Sequence, residues 1–438
     1  MRIAMILRPD ADRVFGGDTV VMRKLSAAMC AQGVDVVVGR MDEMPPAREF
    51  DLLHIFALAP VDHAEAMIAW AQGGDAARWE RRHPERRPPQ TAAAVEGCEP
   101  VGRPFDSGPS AAWPPAQGAS PLPASGSAAA RGCAAVVFSP LYYSDFRDWF
   151  ERAAVTVPRW RALARRLGKP VAWRLYRAWQ TARLPYQSGW RRMRAALRAA
   201  DVIATTSQWE NGWLAGHFRL PADVRRAMCL SPLGIDAELY GRTFGEAELA
   251  AFRARYGLPT GYVAQVARLE EKKNQLAVIQ ALYDERIPLV FVGRDSPYYA
   301  AGYGDRCRAL GAQRGGVHFI EWLPEAELPL LYANAAAHIL PSWVEQPGLT
   351  SLEAGASGTR VISTAVSGLS EILGGDAWYC DPYDPASIRT TVHAALASPL
   401  SATLRPTLLA RHGWAQAAAA NLALYADVLR RRQRSTSI

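Results

Sequence analysis

The chain alternates short apolar runs of strand length with longer stretches in which apolar residues return every three or four positions. Arg2 to Leu7 is the first run. A polar loop, Arg8 to Phe15, and Gly16-Gly17 follow it. Next comes an expected helix with Asp18 as N-cap, Val21, Leu25, Ala28 and Met29 on one face, and Gly33 at its close. Val34 to Val38, Asp51 to Phe56, Ala134 to Phe138 and Asp201 to Ser207 read as further strands, and Glu210 to Phe218 as a helix. A turn-rich connection, Ser231 to Asp236, then opens a second α/β alternation. Its strands fall at Tyr262 to Ala267, Pro288 to Gly293 and Val317 to Ile320, with helices at Asn274 to Tyr283 and Pro324 to Tyr332. At the end, Trp414, Ala417, Leu422, Tyr425 and Leu429 recur at near-helical spacing, and Arg430-Arg431-Arg432 suits a helix C-terminus.

Two stretches break this pattern. Residues 73–132 are dense in Pro, Gly, Ala, Ser and Arg and lack apolar periodicity, so they read as a disordered insertion or a frame-shifted translation. Residues 152–198 are basic and carry Trp160, Trp173, Trp179 and Trp190 among arginines, with no acidic residue. Three readings compete for this stretch: docking on an anionic membrane surface, nucleic-acid binding, or a solvated helical face with Trp in the core. Nucleic acid is the least favoured of the three.

Composition bounds the answer. At 438 residues the chain suits two domains. We place the first at 1–234, the second at 235–412 and a crossing helix with its tail at 413–438. No apolar run has the length of a bilayer span, and the apolar run at the N-terminus is too short for a signal peptide. Six scattered cysteines without a Cys-x-x-Cys pair suggest neither a zinc site nor a disulfide framework, as in a reducing cytosol. The net charge of +8 favours an anionic partner.

The candidate chemistry lies mostly in the second half. His338 to Ser363 reads as strand, loop, helix, strand. It sets Glu345 and Glu353 eight positions apart, with the N–H groups of Gly348 and Leu349 between them, at the carboxyl edge of a parallel sheet. Thr350 and Glu353 also fit a capping box, and Glu345 could be an ordinary loop carboxylate. Arg268 and Lys273 join a strand to a helix. Two cations there can clamp a diphosphate, although Glu270, Glu271 and Lys272 in the same turn also fit a solvated charged loop. Gly16-Gly17 would let a ligand approach the backbone at a helix N-terminus, but the dinucleotide spacing is absent. Asp10-Ala11-Asp12 has the form of a metal-binding pair too short to be informative, and no metal role is assigned. His54 inside a strand reads as a satisfied core histidine.

Taken together, these residues resemble glycosyltransferase family 4, a group of GT-B sugar transferases. The resemblance rests on four features in order. They are strand, Gly16-Gly17 and long helix; Pro232-Leu233-Gly234-Ile235-Asp236; Ala267-Arg268-Leu269-Glu270-Glu271-Lys272-Lys273-Asn274; and Leu340 to Ala354 with its paired glutamates. Gly368 and Glu371 match a following Gly-x-x-Glu. The resemblance implies a GT-B fold of two Rossmann-like domains facing a cleft, with the terminal helix crossing back to the first. It implies transfer of a sugar from a nucleoside diphosphate donor, usually with retention, without metal or cofactor. Arg268 and Lys273 would hold the diphosphate, Glu353 would accept from the ribose hydroxyls, and Glu345 would contact the donor sugar. Gly348 and Leu349 would lie near the phosphates, and Gly16 and Gly17 would close the site from the first domain. Leu233 stands where Asn is usual, and Gln346-Pro347 replaces a common Gly-Phe. Ser139-Pro140 continues a strand after which the family often has histidine, so that role has no residue here.

The expected function is therefore a retaining, metal-independent glycosyltransferase acting on a glycan or lipid-linked acceptor, in cell-surface polysaccharide assembly. Its expected place is the cytoplasm, peripheral on the inner face of the membrane through 152–198. The alternatives are a GT-B nucleotide-sugar epimerase, or a non-catalytic basic membrane- or nucleic-acid-binding protein on that scaffold.

Overall fold

A computed structural model of the chain describes residues 1–7, 17–40, 44–56, 68, 134–140, 146–296 and 302–435. Gly16, Asp10, Asp12 and the 73–132 segment lie outside these residues. Two six-stranded sheets carry the fold, and every strand pairing in both is parallel. The first holds β1 (Arg2–Leu7), β2 (Asp35–Arg40), β3 (Leu52–Phe56), β4 (Ala135–Ser139), β5 (Val202–Thr205) and β6 (Met228–Leu230), in the order 2-1-3-4-5-6. The second holds β7 (Val263–Val266), β8 (Leu289–Val292), β9 (Val317–Ile320), β10 (Ala337–Leu340), β11 (Arg360–Thr364) and β12 (Trp378–Cys380), in the order 12-11-10-7-8-9.

Helices cover both faces of a parallel sheet, so its strands are unbroken apolar runs rather than alternating ones. All five residues of β3 and of β4 are buried. In each sheet the first strand lies inside the sheet, second from the edge in the first and central in the second, with the chain winding outward from it on either side. That reversal opens a crevice at the carboxyl edge, between the loops after β7 and β10 in the second sheet.

The last helix, Trp414–Ser435, returns to the first sheet, where Ala417, Ala418, Tyr425 and Val428 join the core of Ile3, Met5, Met22 and Leu25. Asn421 anchors it: its Oδ1 accepts from Ser231 Oγ at 2.5 Å, and its Nδ2 donates to the Pro232 carbonyl at 3.1 Å. His54 is a satisfied core residue, as expected. Its Nδ1 lies 2.5 Å from Tyr425 Oη and its Nε2 2.8 Å from Ser139 Oγ, and burial pushes its pKa down to about 3. His54 thus ties the end of β4 to the crossing helix.

Between β4 and β5 the chain runs through helices Phe146–Thr156, Pro158–Leu167, Lys169–Arg183 and Ser188–Ala199. The first three enclose a cluster of their own around Phe150, Ala153, Trp160, Ala172 and Tyr176. Trp160 is buried, Trp173 and Trp179 pack against that cluster, and Trp190 packs beside Phe218 on the first sheet's core. The indoles thus take the reading that set Trp in the core, and they face neighbouring helices. Their large rings supply the apolar area that holds an arginine-rich helical unit together.

Smaller corrections concern ends and thiols. The first long helix begins at Gly17, so Asp18 lies inside it and does not precede it. Cys30 is disulfide-bonded, against the expectation of none, while Cys229, Cys307 and Cys380 are free. Spacing along the chain says nothing of which thiols meet in space.

Candidate functional site

The site is built on the loops after β7 and β10. After β7 the chain passes Arg268, makes a 3-10 turn at Glu271–Lys273 and enters helix Gln275–Ala281 through Asn274, held at φ +66°. Among side chains with a Cβ, asparagine tolerates this left-handed region best. It also works as a fastener, because its Nδ2 donates to the carbonyls of Pro341 (3.1 Å) and Pro382 (2.6 Å). One side chain thereby joins the loops after β7, β10 and β12. Gln265 Nε2 donates to the Lys273 carbonyl at 2.7 Å, Gln275 Nε2 to that of Arg268 at 2.8 Å, and the Trp343 N–H to that of Lys272 at 2.9 Å.

This frame brings Lys273 and Glu345, 72 positions apart, into contact. Lys273 Nζ donates to Glu345 Oε2 at 2.6 Å, and Ser342 Oγ donates to the same oxygen at 2.6 Å. Glu345 is 5% exposed, so its charge depends on these two partners, and the Lys273 side chain retains 21% exposure. The Arg268 guanidinium is 40% exposed, with its Nε 3.4 Å from Glu270 Oε2. The arrangement is one buried ion pair and a second, accessible cation on the same loop.

Gly348 precedes helix Leu349–Ala356 at φ +71°. A Cβ there would lie 2.5 Å from Leu369 Cδ1 and 3.1 Å from Glu345 Cγ, so only glycine lets the helix start against the glutamate. The first-turn N–H groups of Leu349 and Thr350 have no carbonyl four residues back within the helix and form the positive end of its dipole. The capping-box alternative is not realised. The N-cap is Gly348, no side chain caps it, and Glu353 sits in the helix body.

Glu353 lies apart from the Lys273–Glu345 pair. Burial raises its pKa to about 7, and the Glu325 charge adds to that. Lys24 and the hydroxyls of Tyr240 and Tyr332 oppose it. Lys24 comes from helix Gly17–Ala31 of the first sheet's layer. It reaches across to pair with Glu325, and its Nζ is 3.8 Å from Asp236 Oδ2. One ammonium thus faces three carboxylates where the two halves meet.

A second contact between the halves lies beside Glu345. Glu371 Oε1 accepts from the Trp209 N–H at 2.6 Å and Oε2 from the Gln208 N–H at 2.8 Å, which satisfies the start of helix Gln208–His217. A Cβ at Gly368 would come within 2.1 Å of Ser207 Oγ, so glycine permits this approach. A cleft of about 190 Å³ is lined there by Thr206, Ser207, Glu345, Gln346, Ser367 and Gly368. Nearby, Arg147 from the helical unit stacks 4.7 Å over Tyr383, whose hydroxyl donates to the Trp343 carbonyl at 3.3 Å.

Of the candidate residues, the fold brings together Lys273, Glu345 and Gly348, with Arg268 on the same loop as Lys273. Leu349 opens the adjoining helix, and Glu353 faces Lys24 from that helix's body. Gly17 starts its helix, and Gly16 is outside the described residues. Sequence reasoning did not single out Lys24, Glu325, Ser342, Asn274 or the capping role of Glu371. The Lys-Asn step held the only local signal, an asparagine before a helix.

Comparison with known proteins bears on the fold and the family. Residues 252–408 match the model of "Glycosyl transferases group 1". The chain is 27% identical over 211 residues to the O-antigen chain mannosyltransferase B of Escherichia coli, covering 46% of this chain and 53% of that protein. It spans about half the length of the curated relatives it matches. Among solved structures it superposes on sucrose-phosphate synthase from Thermosynechococcus elongatus with a TM-score of 0.57 at 19% identity over 100% of both chains. It superposes on Anabaena HepE in complex with UDP and glucose with a TM-score of 0.51 at 12% identity, over 100% of this chain and 99% of that one. The fold is thus GT-B, and residues 252–408 of this chain match the model of glycosyl transferases group 1.

Proposed function

We propose that the protein transfers a sugar from a nucleoside diphosphate sugar to a glycan or lipid-linked acceptor, with retention and without a metal, in cell-surface polysaccharide assembly. The observation that carries this reading is the Lys273–Glu345 pair at the crevice, with the Arg268 guanidinium accessible on the same loop. An incoming diphosphate would take the Lys273 ammonium and the Arg268 guanidinium. Glu345 would then be free to accept from hydroxyls of the donor sugar. Fixed cations at the leaving diphosphate stabilise the charge that develops as the glycosidic bond breaks. Glu353, beside Lys24, would accept from the ribose. The HepE complex with UDP and glucose supports a UDP-linked donor, and the O-antigen mannosyltransferase supports a polysaccharide acceptor; each is a property of that protein.

Titration calorimetry with UDP and GDP tests donor binding, and failure with both would overturn the reading. Mass spectrometry of products from a panel of nucleotide sugars and acceptors then identifies the transfer. An isomerised sugar with no gain in acceptor mass would replace transfer by epimerisation. The metal-free expectation is met by turnover unchanged in EDTA.

A further inference from the structure

The helical unit between β4 and β5 has an outer face that the site does not use. Nine large apolar side chains are exposed among the described residues, and four of them, Leu167, Val171, Leu175 and Tyr186, fall within one stretch of 20 residues. Val171 (41% exposed) and Leu175 (47%) stand one turn apart on helix Lys169–Arg183, and Ala178 and Ala182 continue their stripe, also exposed. The opposite side of the same helix buries Ala172, Tyr176 and Gln180. An exposed apolar stripe backed by a packed core is not core left over.

Charge decides what would cover it. Arg174 lies within the stripe, and Arg165, Arg166, Lys169, Arg177 and Arg183 surround it, all exposed. Residues 152–200 hold thirteen Arg and Lys and no Asp or Glu, whereas the whole chain carries only +8, so the rest of the chain is net −5. A protein partner would have to supply a matching acidic patch around an apolar ridge. An anionic lipid surface supplies both at once, phosphates for the guanidinium groups and acyl chains for Val171 and Leu175.

We infer that Val171 and Leu175, ringed by these basic residues, form a docking face for an anionic lipid bilayer. The same helical unit touches the second sheet's loops through Arg147 on Tyr383, whose hydroxyl donates to the Trp343 carbonyl, so a lipid-borne acceptor would approach the site from this unit. This last step rests on the transferase reading; the docking itself does not.

The test is sedimentation of the full chain with sucrose-loaded vesicles. One set contains phosphatidylglycerol and phosphatidylethanolamine, the other only phosphatidylcholine. The expected result is binding to the anionic vesicles that falls at least about tenfold in V171D/L175D and in R174E/R177E, with UDP or GDP affinity unchanged in both variants. Several results would overturn the inference. They are no binding by the wild type, equal binding by both variants, a wild-type dimer that V171D/L175D makes monomeric in light scattering, or vesicle binding that appears only when residues 73–132 are deleted. Tighter binding to single-stranded DNA than to anionic vesicles would also overturn it. Vesicle binding without binding of UDP or GDP would sink the transferase reading alone, and the reverse pattern would sink the docking face alone.

Discussion

At the scale of single residues, the site is an economy of partners around two glutamates. The Glu345 carboxylate is buried with Lys273 and Ser342 as its polar partners among the described residues, so removing the ammonium leaves a charge without its counter-ion. Lys273→Ala is expected to lower kcat by about 10²-fold, as loss of one electrostatic stabiliser does. It should also destabilise the fold by up to about 3 kcal/mol, as a broken buried pair does. Single-turnover kinetics and urea melts measure the two effects, and near wild-type turnover would remove Lys273 from the site. Glu353 yields a pH prediction. Its folded pKa, about 7, lies above the ordinary carboxylate value. The folded state therefore holds this proton more tightly than the unfolded chain does. The corresponding stability is present at low pH and is lost as pH rises from about 4.5 through 7. Glu353→Gln should flatten that part of the stability curve. Because accepting from a ribose needs the ionised form, UDP affinity should rise between about pH 6 and 8 in the wild type but not in Glu353→Gln. A wild-type affinity flat across that range would exclude Glu353 from the nucleotide.

At the scale of elements, what matters is how helices begin. Helix Leu349–Ala356 starts at a glycine in a conformation that costs other residues about 1 kcal/mol or more. Gly348→Ala would add contacts with Leu369 and Glu345. The expected loss is about 1–2 kcal/mol in chemical denaturation, together with weaker nucleotide binding as Glu345 is displaced. Unchanged affinity would mean that the helix start does not position Glu345. Helix Gln208–His217 begins under a carboxylate from the other half of the molecule, Glu371, and this partner could not be read from the sequence beside it. The arginine-rich helices show the converse. Their tryptophans looked suited to an interface because local sequence cannot distinguish an indole facing solvent from one facing a neighbouring helix.

At the scale of the whole molecule, the two sheets share a crossing helix and, among the described residues, contacts that include Lys24 with Glu325, Glu371 with the Gln208 helix and Arg147 with Tyr383. Residues 78–130 lack the apolar periodicity that a core segment needs. Their deletion, assayed in reductant because Cys30 is disulfide-bonded, is expected to leave soluble yield and turnover within about twofold. Loss of soluble protein would show that the segment contributes to the fold.

The terminal helix's return was legible only through the family resemblance; by itself, the sequence determined the alternation of strand and helix and set the candidate residues on the second sheet's loops. These depend on short-range patterns: apolar runs of strand length, glycine and asparagine at helix starts, and charged residues at strand ends. Tertiary structure alone decided that Lys273 meets Glu345, because the strand order sets β7 beside β10 although 70 residues separate their loops. It also decided that Glu353 faces Lys24 from the other half, and which residues of 152–200 turn inward. The physical reason is the same in each case. A side chain's charge state and exposure are set by what packs against it, and in a doubly wound fold that neighbour comes from a distant part of the chain.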